Sequence, residues 1–580
     1  MLAQMGHRRS GPGKRDRLGD RSRRIGISEE RVVFHTGGID VKKSSYGALT
    51  VAGVVVLGGC GQAASTPHAP TQLVVAENSE PTTLNPLFQT TNAELNMEWG
   101  GIFNALVSFT PNGRFTGSLA QRWTISLNHK IWTFYLRPRI SWQDGHPFSS
   151  ADVVFTYDVA LNPATGAFIP PILRKDIASV NGSGVNRVTI TLKHPLPESL
   201  FLQAVSYVPI VPKHILGKVP PSKISTDTTF ARHPIGTGPL KLVKWVQGNY
   251  LEFQANRHYF LGPPHIHSVV VEIVPSPTTA IAQLESGKVD LMDYTNPITR
   301  PEYSAAIKHA GVKGYVNQTL SWKNITLVEQ GWFKDIYVRQ ALDYATPKKS
   351  LIQSILGGYG VSAYYSQPTH SWQGTTSGIQ TYPFNLKQAR QLLEQHGFSL
   401  VNGVMTKSGH PLRVTLWTSS TNPQDSLIAR VLESDWGKIG VAVSIHLIDP
   451  NAMFAANGPL FDKQGLNAFL FSWEQGPDPE SDSYHWLSAN SVMVNPAGGN
   501  YARYNNATVD HLLIQGASTF SQSARAPLYH EVDRILSNQV PDIFLWWNDS
   551  LTLANKNLGG YDPNPYAFAT FWNFQTWHWK

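Results

Sequence analysis

The sequence predicts an α/β protein of two lobes joined by a hinge that the chain crosses twice. Three observations predict it. The chain has 580 residues, more than one ordinary hydrophobic core can organise, so at least two packed units are required. Strand, helix and strand patterns follow one another from Val269 to Asp290 and again from Leu412 to Leu447, as α/β units do. The pattern resets around Ala310 to Asn324, and an apolar strand at Ile543 to Trp547 is placed where the chain returns to the first lobe. Two crossings make a hinge, and a hinge between two lobes makes a cleft able to close on a ligand.

Taken in order, the run Gly61 to Thr71 is small, polar and Pro-containing, as a tether should be, and Leu73-Val74-Val75 begins the first strand. A helix is predicted from Asn92, with Leu95, Trp99, Ile102, Phe103 and Leu106 on one face. Within Ser141 to Tyr157, SWQDGHPFSSADVVFTY, Asp144-Gly145 before Pro147 is a turn signal, since glycine tolerates positive φ and proline fixes the exit. Ser149 or Ser150 then stands at an N-cap. Asp152 completes a capping-box spacing, and Val153, Val154, Tyr157 and Leu161 recur at helical intervals. Val188, Ile190 and Leu192 alternate as a strand. Ile235 to Leu240, IGTGPL, invites a phosphate-loop reading, but it lacks the Lys-Ser/Thr ending and precedes a strand. Val269 to Val274 suits a strand buried on both faces, and Gly287 stops a helix from Thr279 to Ser286. In the second series Asn385 caps a helix that Gly397 ends. Strands follow at Leu412 to Trp417, Val441 to Leu447 and Ala468 to Trp473, with helices at Ser426 to Ile439 and Arg525 to Asn538.

Charge and cysteine place the chain. Forty-one per cent apolar residues and 17 Trp describe a globular protein. Its net charge of +8 comes mostly from residues 1–59, which hold 11 of the 48 basic and 5 of the 40 acidic residues and so leave 37 and 35 for the rest. A nucleic-acid partner therefore gains no support. Low charge with many Ser, Thr, Asn and Gln suits an acidic or otherwise harsh exterior. Lys42-Lys43, the apolar Ala48 to Val56 and Leu57-Gly58-Gly59-Cys60 form a secretory signal too short to span a bilayer. Its LGGC ending resembles the lipobox of bacterial lipoproteins, which implies that Cys60 is lipidated and becomes the mature N-terminus, anchored stably only if two or more chains are attached. Residues 1–40 are Arg- and Gly-rich without apolar periodicity, so translation is expected to start near Val32, Val33 or Val41.

Several fixed spacings carry a further resemblance. Leu136-Arg137-Pro138 with W-x-D-G-x-P-F at Trp142 to Phe148, the turn Pro81 to Pro86, the G-x-G-P of Gly236 to Pro239, Gly287 to Asp290, the helix Asp335 to Ala345 and the Trp-rich end are similar to the solute-binding proteins, family 5, of peptide, dipeptide and nickel ABC importers. The resemblance implies the two-lobed periplasmic-binding-protein-like fold of type II, cluster C, with an extra subdomain at about 100–235. Residues 72–315 and 541–580 are expected in lobe I and 316–540 in lobe II. It also implies a monomer outside the cytoplasm, partnered by a membrane permease and its ATPase. Asp144 and Gly145 are structural in that family.

No catalytic motif survives inspection: there is no G-x-S-x-G, H-E-x-x-H or Walker sequence, and no cofactor is expected. Asp478, Glu480 and Asp482 sit in a turn, where Asp and Pro serve the backbone. His265 and His267 alternate and could chelate a metal, though surface beside Pro263-Pro264 is the plainer reading, and no metal ligand is assigned. Ligand-facing residues are expected at strand C-terminal ends of the second lobe, where open α/β sheets bind. Trp417 precedes the polar loop Ser419, Thr421 and Asn422, and Trp473 precedes Glu474 and Asp478. Trp offers area at low rotamer cost. The resemblance implies that an acid after Trp473, either Glu474 or Asp478, holds a peptide's α-amino group. The arginine that holds a dipeptide's carboxylate has no counterpart in the uncharged loop after Trp417. Peptides lead as ligand, followed by oligosaccharides and then nickel or a metal chelate. A secreted hydrolase or a surface sensor using the same cleft are the readings from other classes.

Overall fold

The computed structural model describes residues 71–580 apart from 90–91, 293–297, 369–370, 456–457, 463–466, 475, 497 and 567–568, and leaves out the side chains of Asn92 and Glu474. The leader, Cys60 and the tether to residue 70 lie outside the described residues.

Strand β1 (Gln72–Glu77) opens the first lobe. Its side chains alternate between two cores, with Leu73 and Val75 in one and Val74 and Ala76 in the other, which is why an unbroken apolar run is needed there. The helix predicted from Asn92 ends at Glu98, short of Leu106. Gly100 has φ +72, and a Cβ on it would lie 2.7 Å from the Trp572 Cα, so the chain turns where the apolar spacing continues.

An inserted subdomain follows, with its own sheet of β2 (Ala120–Ile125), β3 (Ile131–Leu136), β4 (Ile177–Gly182) and β5 (Arg187–Leu192) in the order β2-β3-β5-β4. Its core gathers Trp132, Phe134, Trp142, Tyr157 and Phe201. Helix α1 (Ser150–Leu161) starts in a complete capping box: Ser149 is the N-cap, and its amide donates to Asp152 Oδ2 at 2.9 Å. Helices α2 (Glu198–Ser206) and α3 (Lys213–Leu216) complete the unit. The turn ahead of α1 is a joint. Gln143 accepts from the Gly236 amide at 3.1 Å and donates to the Gly238 and Leu240 carbonyls at 3.1 and 2.8 Å. A Cβ on Gly236 would lie 1.8 Å from the Ile102 carbonyl oxygen and one on Gly238 2.1 Å from that of Gly101, so the glycines of IGTGPL serve close backbone approach.

The first lobe continues with β6 (Leu240–Val246), β7 (Tyr250–Ala255), β8 (Ser268–Ile273) and β9 (Leu291–Met292). Two long antiparallel strands, β10 (Val312–Leu327) and β15 (Asp542–Asn555), run from this lobe into the second. The second lobe adds β11 (Val361–Ser362), β12 (Arg413–Ser419), β13 (Ala442–Ile448) and β14 (Asn467–Glu474). It also holds α4 (Pro423–Lys438), α5 (Ser481–Trp486) and α6 (Gln522–Gln539). Among described residues one sheet results, ordered β13-β12-β14-β10-β15-β9-β1-β8-β7-β6 with β11 on β15. The strand Ile543–Trp547, expected to lie in the first lobe, pairs with the half of β10 that also pairs with β14; only from Asp549 onward does β15 pair with the half of β10 next to the first lobe. The β10–β15 register breaks between Gln318 and Trp322. There Thr319 Oγ1 donates to the Asn548 carbonyl at 2.9 Å, and Asn548 Nδ2 donates to Ser321 Oγ at 3.0 Å, so side chains replace ladder bonds at the crossing. Among the described residues no helix is long and apolar enough to cross a membrane.

Candidate functional site

Alternation along β12 and β14 sends Trp417, Phe469, Phe471 and Trp473 to one face of the second-lobe sheet. They pack with Phe454 and Tyr501 around one aromatic cluster, so the two tryptophans singled out from the sequence share a wall. Trp473 is half-buried and stacks on Tyr501 at 5.3 Å between ring centroids with planes 15° apart. His485 of α5 lies 4.2 Å from the Trp473 ring, and burial holds its pKa down to about 3, so it faces the wall as a neutral imidazole. Tyr484 meets Trp473 edge-on at 6.3 Å and keeps 40% of its surface exposed, which places the wall at the solvent boundary.

The polar candidates divide. Trp417 donates from Nε1 to Asn467 Oδ1 at 3.2 Å, leaving its ring as the surface it offers. Ser419 and Thr421 hydrogen-bond each other through their hydroxyls at 2.9 Å, and Asn422 caps α4 by accepting from the Gln424 amide at 3.0 Å. This loop is exposed except for a half-buried Ser419, and its local bonds explain its composition without a ligand. Glu474 pairs through its backbone with Ser321, and its side chain lies outside the described residues.

Asp478 is the correction. It is 1% exposed, and both carboxylate oxygens receive the guanidinium of Arg525 at 2.7 Å. Burial works against the Arg525 charge, but the bonds and charge of Asp478 outweigh it and raise the guanidinium pKa above its ordinary value. An aspartate committed to a bidentate pair is not available for an α-amino group. Its surroundings are also a contact between lobes. The Asp478 amide donates to Gln203 Oε1 at 2.6 Å, Arg525 donates to Ser199 Oγ at 2.6 Å, and His129 stacks on Phe520 at 3.9 Å. Ser199, Gln203 and His129 belong to the inserted subdomain. Beside this contact burial, with the neighbouring Asp478 charge, pushes the Glu480 carboxyl up to about 8. Burial likewise lifts Asp482 to about 7 despite a 2.6 Å bond from Gln367.

Tyr501, Phe454 and Arg525 were not anticipated from the sequence. Tyr501 and Phe454 lie in irregular stretches with no periodicity to read. Arg525 had one usable signal, Tyr529 four residues later on the same helical face, to which it donates at 3.1 Å. His265 and His267 are exposed, and the three-residue metal-ligand grouping among described residues lies elsewhere, at Asp144, His146 and His214.

The profile of bacterial extracellular solute-binding proteins, family 5 Middle, matches residues 114–493. The oligopeptide-binding protein AppA of Bacillus subtilis is 27% identical over 521 residues, 89% of this chain and 93% of that protein. Its structure in complex with a nonapeptide superposes with a TM-score of 0.70 over 89% of this chain and 100% of that one. NikZ of Campylobacter jejuni in complex with Ni(L-His) is also 27% identical with a TM-score of 0.70, over 88% of this chain and 100% of that one. Heme-binding protein A of Haemophilus influenzae is 25% identical over 559 residues, covering 90% and 97%.

Proposed function

The chain belongs to the bacterial extracellular solute-binding proteins of family 5, and we propose that its cleft captures peptides longer than a dipeptide and delivers them to the membrane permease of an ABC importer. Working outside the cytoplasm is the family's setting; lipid anchoring through Cys60 and action as a monomer without catalysis belong to this proposal.

The observation that carries the preference for length is the half-exposed aromatic wall of Trp473 and Tyr501, together with an aspartate already neutralised by Arg525. Stacking surfaces hold side chains and backbone anywhere along a ligand. End-clamping needs a free acid for the amine and a cation for the carboxylate. Asp478 is taken, which leaves Glu474 as the candidate acid for the amine, and the loop after Trp417 carries no charge for the carboxylate. Each missing charge-assisted bond withholds about 1.5–3 kcal/mol from a ligand whose ends are most of its polar surface. The AppA complex with a nonapeptide supports the same preference.

Tryptophan fluorescence titration tests it. Peptides of nonapeptide length are expected to bind at least about tenfold more tightly than dipeptides. Trp473→Ala should cost about 2 kcal/mol or more, roughly thirtyfold in affinity, as loss of a central aromatic anchor does. Equal affinity for dipeptides, or an indifferent Trp473→Ala, would remove the basis of the reading.

A further inference from the structure

The geometry points to a divalent transition-metal site of the zinc type at Asp144, His146 and His214, on the joint between the inserted subdomain and the first lobe. His214 Nε2 lies 2.7 Å from Asp144 Oδ2, and His146 Nδ1 lies 3.3 Å from the same oxygen. The two imidazoles stack at 4.1 Å with planes 15° apart. All three donor atoms fall within 4.8 Å of one another.

A His–Asp hydrogen bond alone is ordinary; a second, exposed histidine turned to the same carboxylate oxygen is not explained by it. His146 keeps 59% of its side chain in solvent while its ring lies on that of His214. Zinc–ligand bonds of about 2.0–2.2 Å set the edges of a tetrahedron near 3.4 Å, so seating an ion means opening the 2.7 Å His214–Asp144 contact toward that spacing and turning the two imidazoles out of their parallel stack until their lone pairs converge. Two imidazoles and one carboxylate are the donor set of zinc, cobalt, nickel or copper, and offer too few oxygens for calcium or magnesium. The open side leaves a coordination position to water.

The frame is built in advance. The Trp142 amide donates to the His146 carbonyl at 2.8 Å and the Gly145 amide to the Trp142 carbonyl at 2.9 Å, closing the turn. Asp144 Oδ1 accepts from the His146 amide at 3.1 Å, which orients the carboxylate as outer-shell bonds do in metal sites. His214 rides on α3, whose first amide, that of Lys213, donates to Asp152 Oδ1 at 3.1 Å. A bound ion would staple the turn to α3. The aromatic wall belongs to the second lobe and shares no residue with these three donors.

The test is a titration of the tag-free full chain with Co²⁺, read by its visible ligand-field absorption, with Zn²⁺ as competitor. One equivalent is expected to bind and to raise the melting temperature. His146→Ala and His214→Gln should each weaken binding at least by the ~10–100-fold that loss of even an outer-shell partner costs. The double variant His265→Ala/His267→Ala should leave it unchanged. Should His214→Gln disturb the fold, the exposed His146→Ala still decides. Failure to bind one equivalent, or binding that survives His146→Ala, would overturn the site.

Discussion

Asp478 and Arg525 form an ion pair where the loop after Trp473 meets the inserted subdomain. The pair is almost fully excluded from water, with side-chain exposures of 1% and 0%. Removing one partner would strand the other as a buried charge, which costs about 3–5 kcal/mol. Asp478→Asn is therefore expected to lower the denaturant midpoint sharply. It should not selectively weaken peptides with a free amino terminus, so affinities of a peptide and its N-acetylated form should fall together. A loss confined to the free-amine form would restore Asp478 as a ligand anchor. The aspartate was visible in the sequence as a turn residue, but its partner lies 47 positions away, and no local pattern links them. That Trp417 and Trp473 lie near the C-terminal ends of alternating strands was legible, because period-two spacing fixes their strands. Tyr501, which completes the wall, comes from a loop whose position only the tertiary fold determines.

At the scale of elements, legibility followed periodicity and capping. The start of α1 could be read to within one residue, Ser149 or Ser150, because Asp152 supplies a capping-box spacing, and Ser149 is the cap. The helix from Asn92 was read too long because apolar spacing persists through Ile102 to Leu106, while Gly100 and Gly101 pass against Trp572 and Met97 backbone atoms. The strand Ile543–Trp547 was placed in the wrong half of the sheet because one strand serves both lobes. The contact of Gly236 with Ile102 gives a prediction. A Cβ 1.8 Å from a backbone oxygen forces the joint apart, so Gly236→Ala should destabilise by about 1–3 kcal/mol or more and shift thermal unfolding of the full chain downward. A neutral outcome would show that the joint has slack.

Across the whole molecule, burial leaves several carboxyls reluctant to ionise. It lifts Glu329, Asp482 and Asp542 to about 7 and Glu480 to about 8, with the Arg339 charge working the other way at Glu329 and the Asn324 and Thr326 bonds at Asp542. Each binds its proton more tightly folded than unfolded. The contribution of these four carboxyls is therefore lost as pH rises from about 4, where unfolded carboxyls titrate, through about 8, while the single His485 imidazole, held down to about 3, opposes them below about 6.5, where its unfolded form takes up a proton. Melting temperature is expected to be higher near pH 4–5 than near pH 8, and Asp482→Asn should flatten part of the decline. A melting temperature that rises across this range would contradict the burial of these groups.

In the proposed function the two lobes close on peptides held by stacking along their length. Native mass spectrometry of the full chain, purified from cells that express it and with its bound molecules released and sequenced, tests that most directly. A heterogeneous set of peptides longer than two residues is expected. Recovery of a metal chelate, heme or sugar in their place would contradict it.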